Sequence, residues 1–278
     1  MVLPMPTLDH VVVNVRDRID AGLETYQRLG FAMTPRGYHT LGSMNHLAIF
    51  GNDYLELISA PSGDTRRAEI LGAPFGLNGL VFGTDDSAAV YSVLNGAGVP
   101  VEPPLEFSRP VELPAGARDA TFRTVRLKPG VAPVGRIYFC HHFTRDLVWR
   151  DEWRHHANGT VAVVRALIVE PDPAKAAKLY ADMFGPESVR DIKGGKTVVI
   201  GNSRFDIVTE ATLKTEFGDA VPSAEGRSAY MAGLTFRTAS LAKAAQALQA
   251  GKIGFVKGTG RLIVPAREAV NAVLEFIE

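Results

Sequence analysis

Two stretches of the chain decide its fold: LDHVVVNVRDRIDAGLETYQRLGF, residues 8–31, and ALIVEPDPAKAAKLYADMFG, residues 166–185. Each begins with a β-branched apolar run, typical of a strand, and continues through a polar turn into apolar residues spaced three and four apart, typical of a helix. A pattern that recurs in one chain indicates an internal repeat of one structural unit. The copies differ where chemistry is concerned, because His10 in the first aligns with Ala166 in the second.

The same order of elements, a strand, a helix and then two or three strands, is predicted four times, at about residues 7–60, 76–143, 161–211 and 229–278. We expect the units to pair into two domains, residues 1–150 and 151–278, joined near the charged and aromatic segment TRDLVWRDEWRHHANGT. An α+β fold follows, in which each sheet has helices on one face and curves around a cavity on the other.

Residues at the predicted helix ends support this division. An Asp or Ser that can cap a helix precedes each one, and three helices end at a glycine suited to a left-handed C-cap. The predicted caps are Asp17, Asp86, Asp172 and Ser240, and the glycines are Gly30, Gly185 and Gly251.

The composition excludes several classes of protein. The 278 residues include 30 basic and 30 acidic side chains without a basic stripe, which argues against a nucleic-acid partner. No stretch approaches the roughly 20 apolar residues of a membrane span, and the first residues lack the features of a signal peptide, so we expect a cytoplasmic protein. Cys140, the single cysteine, cannot form an internal disulfide or a cysteine cluster for a metal.

A histidine on the first strand (LDHVVVNV, residues 8–15) and a glutamate on the last strand of the same unit (YLELIS, residues 54–59) resemble the vicinal oxygen chelate superfamily. This superfamily of tandem βαβββ units includes glyoxalases, extradiol ring-cleavage dioxygenases, epimerases and antibiotic-resistance binding proteins. Residues 37–59 and FCHHFTRDLVWRDEW, residues 139–153, are similar to its glyoxalase-like domain proteins. The resemblance covers nearly the whole chain, more strongly in its first two units, and implies a small-molecule ligand and an assembly that can be a homodimer.

A divalent metal is the cofactor that this resemblance implies. All seven histidines lie at or before residue 156, so an imidazole-containing site belongs to the first half, and imidazole with carboxylate suits zinc, iron(II) or manganese. By resemblance, His10 and Glu56 are ligands on the first and last strands of unit one, and Glu56 is also a candidate catalytic base. The equivalent first-strand position of unit two falls on Asn78 or Gly79. On its last strand, the resemblance favours His142 as the third ligand.

Other residues are predicted to contact the substrate. Arginines on the strands of unit two, Arg109, Arg123 and Arg126, would clamp a carboxylate or phosphate if they face inward. We select Arg109 and Arg123, together with His39 as a pocket or loop residue. Trp149 is a candidate aromatic lid, with packing between the domains as the alternative.

Two functions remain open at this stage. The first is a metal-dependent enzyme, of lyase or isomerase type or a ring-cleavage dioxygenase, acting on a small oxygen-bearing substrate. The alternative is a non-catalytic protein of the same fold that binds a small molecule or confers resistance. In either case the second half is expected to be a degenerate copy that shapes the structure or covers the pocket.

Overall fold

A computed structural model describes residue 3 and residues 6–114 and 116–278. The first half forms one mixed eight-stranded sheet with the strand order β2-β3-β4-β1-β5-β8-β7-β6. Its strands are β1 (Thr7–Asn14), β2 (Gly37–Tyr38), β3 (Met44–Ile49), β4 (Tyr54–Ser59), β5 (Gly76–Gly83), β6 (Leu105–Val111), β7 (Arg118–Arg126) and β8 (Arg136–His142). Its helices are α1 (Ile19–Arg28), α2 (Ala68–Gly72) and α3 (Ser87–Gly96).

The second half repeats this strand order as β10-β11-β12-β9-β13-β16-β15-β14. Its strands are β9 (Thr160–Val169), β10 (Val189–Ile192), β11 (Gly195–Ile200), β12 (Ser203–Val208), β13 (Tyr230–Thr238), β14 (Val256–Gly258), β15 (Arg261–Val264) and β16 (Val273–Ile277). Its helices are α4 (Pro173–Phe184), α5 (Glu210–Phe217) and α6 (Leu241–Ala250). The predicted α+β fold with curved mixed sheets is confirmed.

The register of the strands corrects the alignment of the two halves. In β1, Val12 pairs with Glu56 of β4 and Gly79 of β5. In β9, Leu167 makes the equivalent pairs, with Asp206 of β12 and Gly233 of β13. Two positions earlier on each strand, His10 therefore corresponds to Arg165. The predicted alignment of His10 with Ala166 was therefore wrong by one residue. Because neighbouring residues on a strand point to opposite faces of the sheet, that alignment placed the counterpart of His10 on the wrong face.

Side chains cap three of the helices as predicted. The carboxylates of Asp86 and Asp172 and the hydroxyl of Ser240 accept hydrogen bonds from backbone N–H groups in the first turns of α3, α4 and α6. Asp17 was expected to cap α1, but this helix begins at Ile19, and the residue before it makes no side-chain cap.

Of the three glycines predicted to form left-handed C-caps, Gly30 ends α1 in this way, with φ of 89° and hydrogen bonds from Gly30 N to Gln27 O and from Phe31 N to Tyr26 O. Gly185 combines φ of 92° with ψ of 150°, outside the left-handed helical region, and Gly251 has φ of −76°. Glycine serves a different purpose at residue 251: a Cβ there would lie 1.8 Å from the carbonyl oxygen of Arg28 in α1, so its small size permits this contact between the two halves.

Alternation along the strands divides the apolar residues into an outer and an inner set. Val11 and Val13 of β1 face the helices and belong to a large apolar cluster that also contains Ala166 and Ile168 of β9. Val12, between them, belongs to a separate cluster on the inner face of the first sheet. The two halves thus share one core, while each keeps its own inner face.

The two edges of the first sheet approach each other. Thr40 N, just after β2, donates a hydrogen bond to Ser108 O of β6 over 3.0 Å, although β2 and β6 are the outermost strands. The sheet therefore curls almost into a closed barrel around its inner face. Among the described residues, none of the helices is both long and apolar enough to cross a membrane.

Candidate functional site

The inner face of the first sheet encloses a cavity of about 530 Å³, a volume that includes its open mouth. Among the described residues, every one that lines this cavity lies before residue 150, so the second half does not contribute to its wall. The lining residues are His10, His39, Leu41, Ser43, Asn45, Leu47, Tyr54, Glu56, Ile58, Arg67, Phe107, Arg109, Phe122, Thr124, Arg126, Arg136, Tyr138, Cys140 and Val148.

A β-bulge in β1 brings an acidic group against His10. Leu8 pairs with Phe82 and His10 with Val81, so Asp9 is an extra residue in β1. Asp9 Oδ1 lies 2.6 Å from His10 Nδ1, although side chains of neighbouring strand residues normally point to opposite faces. Because Nδ1 is engaged in this way, Nε2 of His10 is directed at the cavity.

Asp9 also contacts a second imidazole. His142 Nε2 lies 3.0 Å from Asp9 Oδ1. Burial opposes ionisation of Asp9, but His142 and His10, through their charge and their hydrogen bonds, outweigh it and hold the pKa of Asp9 below its ordinary value. The carboxylate is therefore ionised at neutral pH and available to orient both rings.

Glu56 stands opposite His10 in the cavity. Its Oε2 lies 3.7 Å from His10 Nε2, and its Oε1 accepts a hydrogen bond of 2.7 Å from Asn45 Nδ2. The His10 ring stacks on Tyr54 with the ring centroids 4.3 Å apart. Tyr138 completes this side of the cavity, with its hydroxyl 3.1 Å from His10 Nε2.

The facing pair of His10 and Glu56 fits a divalent metal. Imidazole and carboxylate bind zinc at about 2.0–2.2 Å, so two atoms that share one ion lie at most about 4.3 Å apart. The distance of 3.7 Å between His10 Nε2 and Glu56 Oε2 satisfies this limit. A carboxylate on the other nitrogen of a ligating histidine, as Asp9 provides, is the usual support of such a site.

The predicted third ligand, His142, lies in a neighbouring group instead. In the described part of the chain, one set of three His, Cys, Asp or Glu residues has all its possible ligand atoms within 4.8 Å of one another, and it consists of Asp9, Cys140 and His142. His10, Glu56 and His142 do not converge as predicted. The reason is distance along the strand: His142 faces the same side of β8 as Tyr138 but lies four residues, or about 13 Å, beyond it.

The group of Asp9, Cys140 and His142 fits a metal less well than the cavity pair. Burial raises the pKa of the Cys140 thiol well above its usual range, so an ion bound there would have to displace the thiol proton. Asp9 Oδ1 is already engaged by two imidazoles. The structure therefore favours His10 and Glu56 as the residues that would hold an ion.

Strand register identifies Tyr138 as the counterpart of Glu56 in the second unit. Glu56 pairs with Val12 of β1, and Tyr138 pairs with Val81 of β5. By the same symmetry, the counterpart of His10 is Gly79. Sequence reasoning considered only the histidines of IYFCHHF and missed this phenol, although Tyr138 lies on the same face of β8 as His142.

The arginines of the second unit separate onto two faces. Arg109 and Arg126 line the cavity, whereas Arg123 lies outside it, paired with Glu106 and placed over the ring of Phe143. Because Arg123 and Arg126 are an odd number of residues apart on β7, they point in opposite directions. Arg123 was predicted to contact the substrate, but its side chain lies outside the cavity.

Two further arginines line the cavity and were missed in the sequence. Arg67 donates hydrogen bonds to Glu69 Oε1 over 2.7 Å and to Ser43 Oγ over 2.6 Å. Arg136 is on β8, with its guanidinium 5.5 Å from the centre of the Tyr138 ring. Arg67 follows a turn outside the predicted strands. No alternation along a strand could therefore predict that Arg67 lines the cavity.

His39 lies in the cavity wall as a neutral ring. Burial lowers its pKa to about 4, against the opposing effect of Glu56. Its Nδ1 lies 2.9 Å from Ser43 Oγ, and its Nε2 lies 3.3 Å from Asn45 Nδ2, the same amide that holds Glu56. His39 thus connects to Glu56 through Asn45.

Trp149 packs behind the cavity wall. Its neighbour Val148 reaches the cavity, while the indole contacts Tyr54 and His142, with ring centroids 5.4 and 5.0 Å away. Arg145 covers its other side, 3.4 Å from the ring centroid. Trp149 is buried in this position, so it supports Tyr54 and does not form a lid.

In the second half, a salt-bridge cluster occupies the positions of the candidate site. Arg165, the counterpart of His10, lies 2.6 Å from Asp206, the counterpart of Glu56. Glu275, which corresponds to Tyr138, lies 4.0 Å from Arg165 and 2.8 Å from Arg261. A guanidinium cannot ligate a metal, so ion pairs have taken the place of the candidate ligands.

A family model described as a glyoxalase-like domain matches residues 8–184. The chain belongs to the glyoxalase-like domain family. The predicted membership of the vicinal oxygen chelate superfamily is thereby confirmed. The match crosses residue 150, and the predicted domain boundary at that residue stays a prediction. No curated protein sequence matches this glyoxalase-like protein.

Several solved structures share the fold of this glyoxalase-like protein. A hypothetical protein from Staphylococcus aureus is 12% identical with a TM-score of 0.70, and the match covers 98% of each chain. A mutant 4-hydroxymandelate synthase from Streptomyces coelicolor is 14% identical, with a TM-score of 0.62 over 99% of this chain and 93% of the other. A xylose isomerase-like TIM barrel/4-hydroxyphenylpyruvate dioxygenase fusion protein is 13% identical, with a TM-score of 0.58 over 99% and 50%. Identities this low show the fold alone.

Proposed function

We propose that this glyoxalase-like protein is a divalent-metal-dependent enzyme that acts on a small oxygen-bearing substrate in the cavity of its first half. One observation carries the proposal: His10, oriented by Asp9, faces Glu56 across 3.7 Å on the wall of the cavity inside the first sheet. The fold neighbours that are named as a synthase and a dioxygenase fusion support an enzyme of this fold without specifying its reaction.

The residues around the pair have distinct roles in this proposal. Asp9 fixes the orientation of His10 through Nδ1, and Asn45 fixes Glu56 through Oε1. Nε2 of His10 and Oε2 of Glu56 would hold the ion, which would supply Lewis-acid polarisation of a substrate oxygen. The element bound would separate the two reaction types, because ring cleavage with dioxygen uses iron(II), whereas zinc or manganese suffices for lyase or isomerase chemistry.

Tyr138 is placed to act on the same substrate oxygen. Its pKa is raised above the usual range, chiefly by burial and also by Glu56, so the hydroxyl keeps its proton at neutral pH. It therefore serves as a hydrogen-bond donor to an oxygen bound beside His10. Apolar side chains such as Leu47 and Ile58 exclude water from this region.

The metal proposal is tested by elemental analysis of protein purified without chelator or a metal-binding tag. We expect about one transition-metal ion per chain in the wild type and in His141→Ala, a histidine on the other face of β8. His10→Ala and Glu56→Ala should both lose the ion, whereas His142→Ala should retain it. If His142→Ala loses the ion while Glu56→Ala keeps it, the metal lies at Asp9, Cys140 and His142, and the assignment to the cavity is wrong.

A specific observation favours the second candidate, a non-catalytic binding protein of the same fold. The two counterpart positions in the second unit hold Gly79 and Tyr138, so the symmetric site contains only one imidazole and one carboxylate. A protein that has lost catalysis would show such an incomplete set. Protein that stays metal-free after incubation with Zn²⁺, Mn²⁺ and Fe²⁺ would support this reading and exclude the enzyme proposal.

A further inference from the structure

The cavity wall carries more positive charge than its acidic residues can neutralise. Arg67, Arg109, Arg126 and Arg136 line it, against one carboxylate, Glu56. Arg67 is paired with Glu69, which lies outside the cavity. Among the described residues, the guanidinium groups of Arg109, Arg126 and Arg136 have no carboxylate oxygen within 4.0 Å. These guanidinium groups also donate no hydrogen bond to a protein acceptor.

Arg109 is the most enclosed of these cations. Arg109 is only 4% exposed, and its Nη2 is buried without a hydrogen-bond partner among the described residues. Burial lowers the pKa of Arg109, although Tyr54 and Glu56 act in the opposite direction. A guanidinium still stays charged at neutral pH, so a buried charge is left unpaired.

Arg126 repeats this feature elsewhere in the cavity wall. Its Nε is buried without a partner, and burial, followed by the nearby Arg136, lowers its pKa. Two neighbouring cations without an anion repel each other, and a buried charge without a partner costs several kcal/mol. An anion bound in the cavity would offset this cost.

We propose that the cavity binds a small organic acid whose carboxylate or phosphate pairs with Arg109, while Arg126 adds to the positive potential of the cavity wall. Guanidinium forms paired hydrogen bonds with both kinds of anionic group. The inference rests on the proposed function, since it names the substrate class of the same cavity. It does not require the metal, because these arginines are not among the residues that would hold one.

The body of the acid is apolar. Phe107 precedes Arg109 by two residues on β6, so both face the cavity, and its ring stacks on that of Phe122 with the centroids 5.2 Å apart. Leu41 and Val148 add aliphatic surface to the same wall. An anionic group attached to an aromatic or aliphatic body fits this combination, whereas a sugar or an inorganic anion leaves the apolar wall without a contact.

An outer cleft adjoins the cavity. Arg126, Arg136 and Tyr138 line both of them, and the cleft also carries Lys128 together with two carboxylates, Glu69 and Glu102. The two carboxylates offset part of the positive charge of the cleft, whereas inside the cavity Glu56 alone opposes the arginines. The cavity is therefore the more favourable of the two places for an anionic group.

The test uses a thermal shift and isothermal titration in EDTA with benzoate, phenyl phosphate and inorganic phosphate, and with benzamide as a neutral analogue of benzoate. Benzoate or phenyl phosphate should raise the melting temperature, and comparison of the two distinguishes a carboxylate site from a phosphate site. Benzamide should have no effect. Inorganic phosphate should bind at least 10-fold more weakly than phenyl phosphate, because it lacks the apolar body.

The variants are Arg109→Met and Arg126→Met, with Arg123→Met on the outer face of β7 as the matched control. Arg109→Met should weaken binding of the preferred acid 10- to 100-fold, the effect of losing a charged hydrogen bond. Arg126→Met should weaken it less, and the control should not weaken it. Without ligand, Arg109→Met should melt at the same or a higher temperature than the wild type, because the substitution removes an unpaired buried charge. An arginine with only a structural role would give a lower melting temperature.

Three results would overturn the inference: equal binding of benzoate and benzamide, undiminished binding in both cavity variants, or no binding by any of the acids. Each is independent of metal content, since EDTA is present throughout. Failure of the metal analysis with success here would leave an acid-binding protein without a metal. The reverse result would leave a metal site whose substrate is not an acid.

Discussion

Asp9 and His10 are neighbours on one strand, yet Oδ1 of the first lies 2.6 Å from Nδ1 of the second. The bulge at Asp9 makes this possible, since it inserts one residue into β1 and rotates the carboxylate toward the ring. The single additional residue, Asp9, thus provides the group that orients His10, the candidate metal ligand next to it in the chain.

Asp9→Asn is expected to weaken metal binding by about 10- to 100-fold, the usual effect of losing an outer partner of a ligating histidine. The amide can still accept a hydrogen bond from Nδ1, but it lacks the negative charge that makes the imidazole a better ligand. A Zn²⁺ titration against a competing chelator measures the affinity. Asp119→Asn, an exposed carboxylate on β7, is the control, and equal affinities of the two variants would argue against this role of Asp9.

Arg165→Met is expected to destabilise the second half by about 3–5 kcal/mol, because it leaves the buried carboxylate of Asp206 without its main partner. Urea unfolding at pH 7 measures the change. Arg237→Met, an exposed arginine on β13, should change stability by less than about 0.5 kcal/mol.

A double variant separates the charge from the packing in this cluster. Arg165→Met combined with Asp206→Leu should recover part of the lost stability, because removing both members of a buried ion pair leaves no uncompensated charge between them. If the double variant is as unstable as Arg165→Met alone, the loss came from packing of the arginine side chain.

The order of elements could be predicted from the sequence because it depends on local periodicity and capping. Asp86, Asp172 and Ser240 cap their helices as expected. The pairing of strands depends on contacts far apart in the chain, so the alignment of His10 with Ala166 had no local signal to correct it. One position separates Ala166 from Arg165, and only the register of β9 shows which is equivalent.

For the candidate site, the sequence offered residue types without their directions. His10, Glu56 and Arg109 line the cavity, and their roles as ligands, base and substrate contact stay predictions. Alternation along β7 implies that Arg123 and Arg126 face opposite sides, but it does not say which side is inward. That choice depends on how the sheet curls, which the sequence does not reveal.

Cys140 should be unreactive in the folded protein. Its thiol is buried, and burial raises its pKa well above the usual range, so little of the reactive thiolate forms at pH 8. We expect no reaction with DTNB (5,5′-dithiobis(2-nitrobenzoic acid)) over an hour in buffer and one thiol per chain in 6 M guanidinium chloride. Rapid reaction under native conditions would show that the region of Cys140 and His142 opens to solvent.

Asp53 should make stability depend on pH at the contact between the two halves. Its Oδ1 accepts a hydrogen bond of 2.9 Å from Val163 N of β9, and burial raises its pKa to about 7 against the effect of this bond. Between about pH 4 and 7 the folded protein holds a proton that the unfolded chain has lost. The free energy of unfolding therefore decreases as pH rises, by about 1.4 kcal/mol per pH unit for this group.

Asp53→Asn removes that dependence, because the amide oxygen can accept the hydrogen bond from Val163 N but carries no charge. The stability of the variant relative to the wild type should rise from pH 5 to pH 7 and level off near pH 8, as measured by urea unfolding at each pH. Asp219→Asn, at an exposed position, should track the wild type at every pH. A constant difference between Asp53→Asn and the wild type would mean that Asp53 is ionised in the folded protein throughout this range and that the contact tolerates its charge.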